Sequence, residues 1–309
     1  MSENRTLIIE DEMLIPLLES EKNKEFIAVE SRSYFQDVWL RFKRNKLAIA
    51  GLVFILIIAA LAVMGPIFSE YSYDGVDLAN INQQPSLEHW FGTDFLGRDI
   101  YVRILYGARI SLSVGFLVAL FNMLVGTTYG GISGYFGGLT DLIMMRIVEM
   151  IYAMPTLLYV ILIMMFFGGS IFTVVFAIGI SSWIRMARIV RAQVLSLKEQ
   201  EFILAARIIG SNKKRILFRH LLLNSMGPIL VTVTLNVPAA IFMEAFLSFV
   251  GVGISIPMAS WGTLANEALP AIFSRPYQLF FPLAAISLTM FALNFVGDGL
   301  SDAVDPKRK

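Results

Sequence analysis

Polar positions in this chain are spaced so widely that the apolar stretches between them define its architecture. Between Lys46 and Glu70 lie 23 uncharged residues, and between Arg109 and Asp141 lie 31. Glu149 and Arg185 enclose 35, Arg219 and Glu244 enclose 24, and Arg275 and Asp298 enclose 22. At about 1.5 Å rise per residue, roughly 20 helical residues cross a ~30 Å hydrocarbon core. The run of 35 is interrupted by FFGGS (166–170), so it holds parts of two spans. The pattern predicts an all-α polytopic membrane protein with six transmembrane helices, near 47–68, 109–131, 141–167, 170–188, 228–251 and 279–297.

Composition agrees. Apolar residues make up 56% of the chain and charged residues 16%, against about 25% charged in an ordinary soluble domain. The net charge of +1 gives no field to draw nucleic acid. The absence of cysteine removes disulfides, thiolate catalysis and cysteine–metal sites.

The segment 1–46 reads as a cytoplasmic N-terminal tail. Its first 30 residues hold eight acids and lack the basic start and short apolar core of a signal peptide. Within it, 34–46 is expected to be an interfacial helix. Tyr34, Phe35, Val38, Trp39 and Phe42 share a face, flanked by Arg41, Lys43, Arg44 and Lys46. The alternative is an extension of the first span.

Lysine and arginine set the expected orientation. With the N-terminus inside, the tail, the segment after span four and the C-terminus together carry 20, and the opposite side carries four: Arg98, Arg103, Arg109 and Arg275. This predicts N-in, C-in, with 47–298 as the six-span domain, 69–108 and 252–278 outside, and 299–309 as a cytoplasmic tail.

Residues 199–222 are too polar to span and too patterned for a linker. Phe202, Ala205, Ala206 and Ile209 recur at i, i+3, i+4 and i+7. Gly210 is a natural helix stop, and Ser211 or Asn212 can cap a second helix. The apolar face must pack either on its own bundle or on a partner protein. No G-x-x-x-x-G-K-[ST] loop occurs, so the chain has no phosphate cradle of its own.

QEFILAARIIGSNKKRILFRHLLLNS (200–225) resembles the cytoplasmic coupling loop of ABC-importer permeases, with Ala205, Ala206, Gly210 and Leu222 in the matching places. Leu204, His220 and Leu223 depart from the family's Glu, Ile and Pro, which leaves one electrostatic contact open. HWFGTDFLGRDIYVRILYGARISLSVG, MRIVEMIYAMPTLLYVI, MEAFLSFVGVGI and VGDGLSDAVDP resemble other parts of the dipeptide/oligopeptide/nickel branch. The likeness runs in order over about 35–306, most strongly to the second permease of Gram-positive oligopeptide importers. It implies the type I importer permease fold in the plasma membrane. It also implies a pore shared with a second homologous permease, two ABC ATPases that bind ATP and magnesium, and an extracellular substrate-binding protein delivering peptide. Glu201, Phe202, Ala205, Ala206, Ile209 and Gly210 become the expected ATPase contact. This chain is then a non-catalytic subunit that binds no cofactor itself.

Other polar residues carry alternatives. Gly92, Thr93, Asp94, Gly97, Arg98 and Asp99 form FGTDFLGRD, favoured as a turn-rich structural connector over a docking surface for the binding protein. Arg146 and Glu149, i and i+3 beside Asp141, are favoured as a structural bridge over part of the path. Glu244, with Asn236 and Pro238 earlier in span five, faces the pore or bonds to a neighbouring helix, and both readings stand. His89 and His220 fall on opposite sides of the membrane, so no two-histidine metal site within one chain is expected. A permease for dipeptides, nickel or another small solute is the nearest alternative. A self-sufficient secondary transporter is less favoured, because no internal repeat is evident and 199–222 would have no use in it. An intramembrane hydrolase would need paired acids or metal ligands at membrane depth.

Overall fold

A computed structural model of the chain describes residues 33–255 and 257–305. The acidic tail over 1–32 and the last four residues lie outside the described residues. By contacts the chain divides into Met1–Asp37 and Val38–Lys309, and the second unit carries the helical bundle.

Among the described residues the protein is helical, with one isolated bridge, Thr93 to Asp99, as its only β-pairing. Helix α1 covers Tyr34–Arg44 and α2 covers Lys46–Phe68. They are separate elements. Asn45 is extended (φ −82°, ψ 101°), and its side chain accepts a hydrogen bond from the Ala48 amide at 3.1 Å, capping α2. The proposed face of α1 is divided: Trp39 is exposed, whereas Phe42 is buried beside Ala48 and Ala303.

The long helix α3 runs Ile100–Phe136, far beyond the 109–131 expected. Asp99 caps it by accepting from Val102 N at 2.9 Å, which starts the helix ahead of the expected span. Its end is set by Gly137 at φ 64°. The third span is α4 (Gly138–Ala153) plus α5 (Thr156–Phe167), bent by 83° at Met154 and Pro155. The single span expected over 141–167 is therefore two helices. Pro155 supplies no amide hydrogen, so the helical ladder ends there. Gly168 at φ 79° turns the chain into α6 (Ile171–Leu197), capped by Ser170.

After α6 comes the expected pair of short limbs. The first is α7, Glu201–Ile208. The second is helical over Lys213–Arg215, π-helical over Ile216–Leu221 and helical again over Leu222–Asn224. Then follow α8 (Met226–Phe249), α9 (Trp261–Ala268) and α10 (Tyr277–Val304). The last helix therefore continues through 299–304, the first part of the expected tail. Gly299 lies against Ala48, and Ala303 is buried with Phe42, so packing on α2 extends the last helix.

Among the described residues five helices are long and apolar enough to cross a membrane, and the crossings number six if the bent pair is one broken span. With six crossings the chain returns to the side where α2 begins, called here the near side. The α7 limb is on the near side, and the segments before α3 and around α9 are on the far side.

One glycine-dependent contact joins α3 to α6. Gly126, Gly130 and Gly134, spaced four apart on α3, face α6, and a methyl on any of them would overlap Met186, Ala187 or Arg191. This lets two backbones approach as in small-xxx-small packing. The buried faces meet in contiguous apolar clusters, one around Trp261, Ile241 and Leu112, another around Val114, Val174 and Leu247.

Candidate functional site

On the far side, FGTDFLGRD folds as a compact knot. Gly97 has φ 74°, and any side chain there would overlap the Asp77 carbonyl. The Asp94 carboxylate accepts from Arg98 Nε at 2.7 Å and from Arg103 Nη1 at 2.6 Å. Glu267 on α9 accepts from the same two guanidiniums at 2.7 Å each. All four side chains are largely buried, so the attraction is weakly screened. Asp99 also holds His89 Nδ1 at 2.8 Å, and Thr93 is buried and bonded to Gln83 N at 2.8 Å. Asp94 and Arg98 thus help fasten the segment before α3 to α9, while Asp99 ties His89 to the start of α3. Arg103 and Glu267 complete this network and were not singled out from sequence. The available signal was that Glu267 is the sole acid between Glu244 and Asp298.

Within the bundle, Glu244 is 0% exposed. Ser111 on α3 and Ser248, one turn along α8, donate to its two carboxylate oxygens at 2.7 and 2.8 Å. The side chain reaches no open surface of this chain. Asn236, two turns nearer the start of α8, is 7% exposed, and its Nδ2 has no acceptor among the described residues. It lines a cavity of about 420 Å³ between the α4–α5 bend, α6 and α8.

Arg146 and Glu149 pair at 2.8 Å, but both are exposed. Asp141 joins neither. It bonds Ser133 and takes a two-pronged grip from Arg191, fixing α4 to α3 and α6. Periodicity along one helix cannot reveal a partner 50 residues away.

The near-side limbs divide the face read from sequence. Ala206 is 8% exposed and packs inward, with Ile203, against Ile216, Leu217 and Leu221. Glu201, Phe202 and Ala205 are exposed, as are Leu204, Ile208 (86%) and Ile209 (83%). The four residues expected on one partner-facing surface therefore split, with Ala206 belonging to the bundle. An eight-residue helix with apolar residues on two faces satisfies one spacing rule twice. Gly210 closes α7 at φ 84°. Its amide bonds Arg207 O and the Ser211 amide bonds Ala206 O, each at 3.0 Å, which is the Schellman arrangement.

Residues 126–309 match the family described as the binding-protein-dependent transport system inner membrane component, and 33–85 match the N-terminal transmembrane domain of oligopeptide transport permease C. The chain belongs to this family. Among its relatives, the oligopeptide transport system permease protein OppC of Bacillus subtilis is 50% identical over 96% of this chain and 97% of its own length. The dipeptide transport system permease protein DppC of the same organism is 52% identical over 94% of this chain and 92% of its own. OppC of Escherichia coli K12 is 44% identical over 93% and 96%. This permease is thus a multi-pass membrane protein and a permease subunit of an ABC importer.

Proposed function

We propose that this permease conducts oligopeptides through a pore it shares with a second homologous permease. Two ATPase subunits bind the near-side limbs, and an external binding protein delivers the peptide to the far side. The near side is then the cytoplasm, in keeping with its excess of lysine and arginine. The observation that carries the substrate is half identity, over almost the whole of both chains, to a protein named for oligopeptide transport.

The limbs support the division of labour. Ile208 and Ile209 project into solvent beside Gly210, on a hairpin held to the bundle by Ile203 and Ala206. Exposed isoleucines on a firmly seated hairpin suit a protein partner. This chain then contributes no catalytic residue, and ATP with its magnesium is bound and hydrolysed on the partners.

A second reading, import of dipeptides, draws on the DppC relative at 52% identity. One experiment separates them. The complex is purified in mild detergent, its chains are identified by mass spectrometry, and a deletion strain is assayed for uptake of di-, tetra- and hexapeptides. Co-purifying ATPases and loss of tetra- and hexapeptide uptake are expected. Loss of dipeptide uptake alone would favour the second reading.

A further inference from the structure

We infer that the cavity between the α4–α5 bend, α6 and α8 is a subsite for the carboxylate end of the peptide in transit. The inference rests on the importer reading and adds a chemical determinant to it.

Arg185 and Arg188 stand one turn apart on α6, both exposed on this chain and both lining the cavity. Arg185 lies about 18 Å along the axis from the Leu197 end of the helix, a depth where a guanidinium needs water or a counter-charge. Among the described residues neither forms an ion pair, in contrast to Arg191, which Asp141 holds. Arg188 instead lies over the Tyr152 ring, 4.5 Å from its centroid. That stacking orients the guanidinium plane and leaves its N–H edge available. No acidic residue lines the cavity.

Further donors line the same space. Asn236 brings a buried amide nitrogen that no acceptor in the described residues satisfies. A buried donor left in this state is costly unless something transient accepts from it. The first turn of α5 also opens here, with Thr156 in the lining and no side chain capping the helix. The positive end of this 12-residue helix therefore borders the cavity at Thr156. Tyr159, one turn on, adds a hydroxyl. Two cations, an amide donor and a helix N-terminus share one complement, a carboxylate. A linear peptide always has one at its C-terminus, whereas its amino terminus would be repelled.

The test uses the complete reconstituted importer in proteoliposomes, with one neutral peptide as free acid and as C-terminal amide. Both are supplied at concentrations that saturate the binding protein, so delivery does not discriminate. The wild type should import the free acid about tenfold faster, the effect expected of one charge-assisted contact. Arg185→Gln and Arg188→Gln should bring the free-acid rate down towards the amide rate, and Arg185→Lys should restore part of the difference. Assembly of each variant is checked by co-purification of the partner chains. Equal wild-type rates for acid and amide overturn the subsite while leaving the importer reading intact. So does a proportionate loss of both rates in the variants, or a loss of assembly that lysine does not rescue, since the arginines would then pair with a partner permease's carboxylate. Import of neither peptide by the wild type would instead sink the importer reading and this inference with it.

Discussion

Ser111 Oγ donates to Glu244 Oε2 at 2.7 Å, joining α3 to α8 across a part of the bundle with no exposure to solvent. Ser248 satisfies the other oxygen at 2.8 Å, so the acid is tied down at both ends. Glu244→Gln preserves shape and keeps an oxygen acceptor, and each serine hydroxyl can rotate to donate or accept. Import and complex yield should stay near wild type. Glu244→Leu leaves two buried hydroxyls without their partner, at about 1–3 kcal/mol each. Thermal unfolding in detergent should move to clearly lower temperature. Unchanged yield and stability for the leucine variant would show that this contact carries no weight.

The far-side knot offers a second test. Glu267 and Asp94 share Arg98 and Arg103, so Glu267→Ala strands two buried cations on one carboxylate. Removing one member of a buried pair typically costs about 3–5 kcal/mol. Proteolysis between residues 69 and 99 should accelerate at least tenfold in the variant. A digestion rate equal to wild type would argue that the two segments are held by other contacts.

For the near-side hairpin, inward and outward substitutions should give different phenotypes. Ile208→Glu and Ile209→Glu place carboxylates on the exposed apolar surface and should reduce ATPase co-purification while the permease remains protease-resistant. Ala206→Glu buries a carboxylate against Ile216 and Leu221 and should loosen the hairpin itself, visible as faster cleavage within 199–224. Gly210→Val meets no neighbouring atom but must adopt φ 84°, a strain of about 1–3 kcal/mol for a β-branched residue. Full ATPase binding by both glutamate variants at 208 and 209 would remove the hairpin from the coupling role.

Topology can be read directly because the chain has no cysteine. Single cysteines at Ser86 and Ser274, both exposed, should react with an impermeant maleimide in intact cells, and one at Lys214 should not. Labelling at 214 in sealed cells would invert the orientation.

The crossings were legible because charge is excluded from hydrocarbon, so long uncharged runs mark them without reference to any partner. The helix stops at Gly168 and Gly210 were legible because positive φ selects glycine. The bend at Pro155 was not, since a proline inside an apolar run is compatible with a straight, a kinked or a broken helix until its neighbours are known. Nor were the pairings of Arg103 with Glu267 or Arg191 with Asp141, which link elements 164 and 50 residues apart. The partner-facing surface was half legible: spacing located the hairpin and its apolar character, but which alanine turns inward depends on the limb that packs behind it.

The missing methyls at Gly126, Gly130 and Gly134 have a mechanical consequence. With their backbones almost touching, α3 and α6 have no compressible layer of side chains between them, and Lys198 Nζ reaches back to the Gly134 carbonyl at 3.2 Å. Only Lys198 to Gln200 separate α6 from the hairpin. A displacement applied at Ile208 and Ile209 should therefore enter a stiff double strut and move the pair as one body, with little lost in local bending.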